Sequence, residues 1–186
     1  MRLFTAFPVP DAVRESLVLE TAPLRGAYPD LKWVGMNAFH ITLNFLGEVE
    51  DRALKNICEA MDAAGPVREP FTMSYQGLGA FPGKGKPKVV FLKAERGIDE
   101  CRTVQRGLAY GMRHQDYEER KKFTPHLTLA RIRNSRSWPD VSREGRSLAA
   151  VFEVNRIILY SSHLKPSGAE YEELYSVKLG HQEEYV

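Results

Sequence analysis

The chain has 186 residues, of which 43% are hydrophobic and 27% charged, values typical of a soluble globular protein and not of a disordered one. Its net charge of +2 is too small to indicate nucleic-acid binding unless the basic residues cluster. No run approaches the about 18 apolar residues of a membrane span, and Pro8 and Pro10 interrupt the apolar N-terminus, so neither a membrane segment nor a signal peptide is predicted. Cys58 and Cys101 show neither metal-type nor redox-type spacing, which predicts reduced thiols and a cytoplasmic location.

The hydrophobic periodicity predicts strands and helices that alternate irregularly along the chain. Predicted strands cover residues 2–9, 31–35, 39–46, 71–81, 88–95, 123–132, 152–164 and 170–179. Predicted helices cover residues 11–24, 51–65 and 98–114. The polar segment 133–150 is compatible with either a short helix or an irregular loop.

The links between predicted strands favour an α+β fold. Most are short and hairpin-like, and few strand–helix–strand crossovers occur, so largely antiparallel sheets are expected rather than a doubly wound fold. The two halves also show a rough duplication, since each combines a long helix, a hairpin and a strand that contains a histidine and a threonine.

Two strands carry the same polar grouping in an apolar setting. The stretch "FHITLNFLGE" has His40 and Thr42, and the stretch "PHLTLARI" has His126 and Thr128. Residues two apart on a strand project from the same face, so each histidine shares a face with its threonine while the apolar neighbours point the other way. One such grouping is more often structural than functional, but its recurrence predicts two imidazoles on opposite sides of one cleft.

Two imidazoles across a cleft can cleave a phosphodiester by general acid–base catalysis without a metal, because histidine exists in both protonation states near neutral pH. Threonine hydroxyls can donate to the phosphate oxygens, and a nearby arginine can stabilise the charge that develops there. Arg131 is the candidate, but it follows His126 by five residues and needs a twist, bulge or strand end near Ala130 to reach the same face.

A metal site is a competing use of the two histidines. However, no carboxylate or cysteine clusters at ligand spacing around either motif, so no metal and no other cofactor are predicted. His114, His163 and His181 lie outside any such grouping and are interpreted as surface or structural residues.

The two motifs resemble the paired HxTx motifs of the 2H phosphoesterase superfamily, and most closely those of the RNA 2′,3′-cyclic phosphodiesterases, also known as 2′–5′ RNA ligase-like proteins. The similarity extends over nearly the whole chain, through "MRLFTAFPVPDAVRESL", "LKWVGMNAFHITLNFLGEV", "GLGAFPGKGKPKVVFLKAE" and "LYSSHLKPSGAEYEELYSVKL". It implies one domain over residues 1–186 with two lobes, in which two antiparallel sheets carry helices on their outer faces around a central cleft of pseudo-two-fold symmetry.

The resemblance also implies an activity. It is the metal-independent opening of an RNA-terminal 2′,3′-cyclic phosphate to a 2′-phosphomonoester, and reversible 2′–5′ RNA ligation is compatible with the same site. His40 matches the proton donor and His126 the acceptor, while Thr42, Thr128 and Arg131 match phosphate-binding positions. RNA ends, such as those of tRNA fragments, are the expected partners, with no obligate protein partner.

Alternatives remain at this stage for the substrate and for the class of protein. The substrate could be a small cyclic nucleotide instead, or the chain could be a non-catalytic module that binds RNA or nucleotide ends. Several basic residues lie where an RNA tail could run, although solvated loops explain them equally well: Lys84, Lys86, Lys88, Lys121, Lys122, Arg133 and Arg136.

Overall fold

The computed structural model describes residues 1–83, 86–113, 123–132, 138–165 and 168–180. The nine strands are β1 (Arg2–Pro8), β2 (Leu31–Trp33), β3 (His40–Glu48), β4 (Phe71–Phe81), β5 (Val89–Arg96), β6 (His126–Ile132), β7 (Ala149–Val154), β8 (Arg156–Lys165) and β9 (Gly168–Lys178). The helices are α1 (Asp11–Ala27), α2 (Leu54–Ala64), α3 (Ile98–Gly111) and α4 (Trp138–Glu144). Within these residues, none of the helices combines the length and the apolar character needed to cross a membrane.

The strands form two antiparallel sheets, one in each lobe. The first sheet has the order β3-β1-β8-β9 and the second the order β2-β6-β5-β4-β7. Every described strand pair is antiparallel. The predicted α+β class with two antiparallel sheets is therefore confirmed.

The helices cover the faces of the sheets that point away from the cleft. Leu24 of α1 and Leu78 of β4 both lie against Gly145, which places α1 on the second sheet. At the end of α2, Gly65 lies against Val177 of β9, which places α2 on the first sheet. Leu17, like Leu24, is buried on the inward face of α1, as the apolar spacing in the sequence indicates.

One predicted strand is wrong as a single element. The residues 152–164 belong to two strands, because the chain leaves the second sheet at Val154 and enters the first at Arg156. Asn155 lies at the break, where its carbonyl accepts a hydrogen bond from the Leu179 amide at 2.8 Å. On its two sides the burial pattern changes from alternation in β7 to the continuously buried Ile157–Leu159 in β8, as expected where an edge strand gives way to a central one.

Helix boundaries also differ from the sequence-based ranges. Helix α1 continues through Pro23 to Ala27, although proline disfavours a helix interior because it lacks the amide hydrogen. The predicted helix at Asp51 begins with a 3₁₀ turn over Asp51–Ala53, and the α-helix proper starts at Leu54. In segment 133–150, the described part contains the short helix α4, a 3₁₀ turn and the start of β7.

Candidate active site

His126 opens strand β6 of the second sheet, and its ring is held on two sides. Its Nδ1 donates a hydrogen bond to the Thr124 carbonyl at 2.8 Å. The rings of Phe81 and Phe91, stacked on each other at 4.3 Å between centroids, both meet the imidazole edge-to-face, at 5.0 and 5.2 Å. Because Nδ1 carries the proton in this arrangement, the neutral imidazole leaves the lone pair on Nε2 free to accept a proton.

His40 opens strand β3 of the first sheet and repeats this arrangement. Its ring is hydrogen-bonded to the backbone of Ala38, again two residues earlier. Phe4 lies 4.8 Å from the imidazole centroid and Tyr171 lies 5.0 Å from it, edge-on. Each lobe therefore orients one histidine with a backbone carbonyl and two aromatic rings from other strands of the same sheet.

Burial among these rings lowers the pKa of both histidines. Desolvation is the main cause for His40, whose pKa falls to about 4, and the charge of His126 lowers it further. The pKa of His126 is also lowered by burial, which outweighs the opposite effect of its hydrogen bond to Thr124. Both imidazoles are thus neutral at pH 7 in the free protein, and the effect of His126 on the pKa of His40 indicates that the two histidines lie near each other.

A β-bulge turns Arg131 onto the face of the second motif. In the pairing of β6 with β5, Thr128 is opposite Phe91 and Ala130 is opposite Val90, which leaves Leu129 as the extra residue. Beyond the bulge, Arg131 pairs with Val89, which shares the face of Phe91. The bulge that a phosphate-binding role requires is therefore present, and Arg131 lies exposed on the face of His126 and Thr128.

The first motif has a bulge at the matching place. Strand β3 pairs Thr42 with Ala6 and Asn44 with Thr5, which leaves Leu43 as the extra residue. Beyond it Phe45 pairs with Phe4 and so faces the cleft, in the position that Arg131 has in the other lobe. The Asn44 side chain turns inward and accepts a hydrogen bond from Thr5 Oγ1 at 3.2 Å, which ties the two strands together at the bulge.

Phe45 is a candidate site residue that sequence reasoning missed. Its side chain is 52% exposed, and the Arg2 guanidinium lies over its ring at 5.0 Å. The sequence contains the signal, because Phe45 follows His40 by five residues just as Arg131 follows His126. Since the bulges could not be read from either motif, this equivalence becomes visible only in the strand register.

The remaining predicted residues lie away from this cluster or outside the described part. His163 is exposed, and its Nε2 lies 3.0 Å from Ser161 Oγ and 3.5 Å from a Glu172 carboxylate oxygen. Lys86 and Lys88 are exposed at the hairpin between β4 and β5. The other predicted residues fall outside the described residues: His114, His181, Lys84, Lys121, Lys122, Arg133 and Arg136. Nowhere in the described ranges do three or more histidine, cysteine or acidic side chains come together as metal ligands would.

The lack of a side chain at Gly79 leaves room for the Phe91 ring that contacts His126. A Cβ at Gly79 would lie 2.6 and 2.7 Å from two atoms of the Phe91 ring, and that ring is confined between Phe81 and the imidazole. We expect Gly79→Ala to push Phe91 against His126 and lower the turnover of a phosphodiester substrate roughly 10-fold, towards the about 10²-fold cost of a 1 Å misplacement. Steady-state kinetics measures the effect.

Gly107 provides the matched control for this prediction. A Cβ there would make only an ordinary contact, 3.9 Å from the Ala64 Cβ, so Gly107→Ala within helix α3 should leave turnover unchanged and stabilise the fold slightly. Adding Phe91→Leu to Gly79→Ala should restore part of the lost turnover by removing the clash. Full activity of the Gly79→Ala protein would show that the Phe91 ring does not position His126.

The comparisons with known proteins agree with this geometry. The family model described as LigT like Phosphoesterase matches residues 7–91 and 92–171. The chain therefore belongs to the LigT-like phosphoesterases, a family of the 2H superfamily. This confirms the resemblance seen in the two motifs and makes the protein a phosphoesterase.

Individual relatives match over most of their length. The RNA 2′,3′-cyclic phosphodiesterase of Aeropyrum pernix is 35% identical over 154 residues, which are 80% of this chain and 86% of that protein. The RNA 2′,3′-cyclic phosphodiesterase of Archaeoglobus fulgidus is 33% identical over 178 residues, with 94% and 98% of the two chains covered. Among solved structures, TT0787 of Thermus thermophilus superposes with a TM-score of 0.82 at 30% identity, over 98% of this chain and 100% of that one.

Proposed function

We propose that this protein hydrolyses RNA-terminal 2′,3′-cyclic phosphates to 2′-phosphomonoesters, without a metal, using His40 and His126 as the acid–base pair. The observation that carries the proposal is the matched presentation of two imidazoles to one cleft, each hydrogen-bonded to a backbone carbonyl two residues earlier. A module that only binds nucleotide ends does not need two oriented proton-transfer groups. The names of the relatives from Aeropyrum pernix and Archaeoglobus fulgidus support the choice of substrate.

The reaction is an in-line displacement at phosphorus. Neutral His126 takes a proton from water as the water oxygen bonds to phosphorus, the bond from phosphorus to the 3′-oxygen breaks, and protonated His40 gives its proton to that oxygen. Thr42, Thr128 and Arg131 donate hydrogen bonds to the non-bridging oxygens, where negative charge grows. Because two fixed histidines serve a single line of attack, one regioisomer is formed, with the phosphate retained on the 2′-oxygen.

The cleft also has features that suit an RNA end. Phe45 presents an exposed ring on which a base can stack, since every nucleobase has a π-face and stacking tolerates different sequences. With a 5′-hydroxyl group in the place of water, the same displacement would join two RNA ends by a 2′–5′ linkage. Tails of tRNA fragments are suitable substrates, and the free thiols of Cys58 and Cys101 are compatible with work in the cytoplasm.

Product analysis tests the proposed function directly. The purified protein is incubated, with EDTA present, with an oligonucleotide that ends in a 2′,3′-cyclic phosphate, and phosphorus NMR or chromatography identifies the product. We expect complete conversion to the 2′-phosphate at a rate that EDTA does not change. A mixture of 2′- and 3′-phosphates would show that the line of attack is not fixed. Loss of activity in EDTA with recovery on adding Zn²⁺ or Mn²⁺ would make the histidines metal ligands instead.

The lowered pKa values predict an acidic pH optimum for kcat/KM. The proton acceptor is lost as pH falls through its pKa, and the proton donor is lost as pH rises through its pKa. Since burial lowers both pKa values, that of His40 to about 4, the kcat/KM bell of the free protein should lie on the acid side of pH 6.5.

The bell for kcat should be displaced towards higher pH. Substrate brings a phosphodiester anion between the imidazoles, and this charge stabilises the imidazolium form and raises the pKa of the donor. Steady-state kinetics between pH 4 and 9 separates the two profiles. A limb of kcat/KM above pH 8 would indicate that a group other than these histidines titrates.

A further inference from the structure

The cleft face of the second sheet carries three cationic side chains. Arg131 of β6 is paired with Lys32 of β2 on one side and with Val89 of β5 on the other. His126, also on β6, is paired with Lys93 of β5. In the described ranges, none of the three cations forms an ion pair, whereas on the first sheet Arg156 is paired with Glu173 at 3.1 Å. This wall of the cleft therefore carries three cations that have no carboxylate partner among the described residues, and it attracts anions.

Lys93 extends from this wall away from His126. A Cβ added at Gly79 would lie 3.0 Å from the Lys93 Cγ, and one added at Gly77 would lie 3.6 Å from its Cε and 3.7 Å from its Nζ. The aliphatic stem thus crosses strand β4 above Gly79, and the ammonium group lies above Gly77. Because two strand spacings separate β6 from β4, the Gly77 backbone is about 10 Å from that of His126.

Two glycines of β4 lie beneath the lysine. Gly77 has a φ of +65° at a bulge of β4, a conformation that other residues rarely adopt, and its amide donates a hydrogen bond to the Leu148 carbonyl at 2.8 Å. A side chain at Gly79 would collide with Phe91. The Phe91 ring and the Lys93 stem therefore occupy the space above Gly79, and the exposed Lys93 lies along this part of β4.

We propose that Lys93, extended along Gly79 and Gly77, forms a subsite for the phosphodiester on the 5′ side of the terminal nucleotide. The inference rests on the proposed function, which places the reacting phosphate between His40 and His126 with Arg131 on the side of Thr128. Lys93 is the cation on the opposite side, one strand beyond His126, where the next phosphate of an RNA chain would lie. The protein then favours an RNA end with an internal phosphodiester over a free 2′,3′-cyclic mononucleotide.

Kinetics with two substrates tests the subsite. One substrate is a dinucleotide that ends in a 2′,3′-cyclic phosphate, and the other is the corresponding 2′,3′-cyclic mononucleotide. Lys93→Met should lower kcat/KM for the dinucleotide about tenfold, the loss expected for one charged hydrogen bond, and leave the mononucleotide unaffected. Lys93→Arg should retain most of the activity on both. The slope of log(kcat/KM) for the dinucleotide against log[salt] should become shallower by about 0.7 in Lys93→Met.

Lys55→Met is the matched control, because Lys55 is exposed on helix α2, on the outer face of the first sheet, and its replacement removes the same charge away from the cleft. It should leave the preference between the two substrates unchanged. Equal losses in the two methionine variants would reveal a general charge effect and overturn the subsite. Equal losses of kcat/KM on both substrates, or unchanged kinetics in Lys93→Met, would also overturn it. A loss of the dinucleotide preference in Lys32→Met alone would overturn it as well, because it would place the RNA tail beside Lys32.

Equilibrium binding separates this inference from the proposed function. If the wild-type protein hydrolyses neither substrate, the proposed function fails, and calorimetry with the dinucleotide 2′-phosphate and the mononucleotide 2′-phosphate still decides the subsite. Weaker binding of the dinucleotide alone in Lys93→Met supports it. Equal affinity of wild type and Lys93→Met for the dinucleotide overturns it.

Discussion

His40→Ala and His126→Ala should each lower turnover of a 2′,3′-cyclic phosphate by about 10²–10⁴-fold, the usual contribution of a positioned acid or base. The two losses should not multiply in the double variant, because both groups act in one displacement step and removing either already abolishes the concerted proton transfers. Steady-state or single-turnover kinetics measures all three variants on the same oligonucleotide.

His163→Ala is the control for these variants. His163 is exposed and interacts with Ser161 and Glu172 rather than with the cleft residues, so its replacement should leave turnover near the wild-type level. Thermal unfolding checks that the cleft variants fold, which we expect because the side chains of both histidines are only half-buried. Near-full activity in either cleft variant would remove that histidine from the chemistry.

Much of the fold could be predicted from local pattern. Alternating apolar residues mark most strands, and in the two motifs the apolar residues between and after the polar ones are buried, as the period of two requires: Ile41, Leu43, Leu127 and Leu129. The α+β class follows from short links between such strands. These features depend on neighbours in sequence, which is why sequence reasoning finds them.

The features that sequence reasoning missed depend on register between distant strands. The bulges at Leu43 and Leu129 are defined only by pairing with β1 and β5, so the common face of Phe45 with His40 could not be derived from "HITLNF" alone. The aromatic rings around His40 come from β1 and β9, which are distant from it in sequence on either side. For the same reason, the break at Asn155 is invisible in a strand pattern that stays apolar on both sides of it.

The two lobes are alike in their histidines but differ at the position after the bulge. One lobe places the apolar ring of Phe45 there and the other the guanidinium of Arg131. The second lobe therefore has a guanidinium on the motif strand itself, whereas the first lobe has an aromatic ring with Arg2 of β1 lying over it. Any phosphodiester that the cleft binds then has a defined orientation, which a symmetric pair of histidines alone would not give it.

Thr128→Val and Arg131→Ala should test this asymmetry, each with a loss of about 10²–10³-fold in kcat, corresponding to the roughly 3 kcal/mol that one donor to a developing oxyanion contributes. The valine removes the hydroxyl but keeps the shape of the side chain. Arg131→Lys should recover only part of the loss, because the ammonium group cannot form the bidentate contact of a guanidinium. Since the histidines are unchanged, the kcat/KM bell should keep its position in every variant, and Arg131→Ala should also bind the product 2′-monophosphate more weakly.

Thr72→Val and Arg106→Ala provide matched controls, because both residues are exposed and lie outside the two motif strands. Neither should change kcat. If Arg131→Ala retained wild-type kinetics, the candidate among the described residues for the cation that faces the phosphate would be Lys32, which lies directly opposite Arg131 on β2. In that case Lys32→Met, and not Arg131→Ala, would show the loss in kcat and the weaker binding of product. The bulge at Leu129 makes Arg131 the stronger candidate, because it brings the arginine to the face of Thr128 at the point where β6 still pairs with β5.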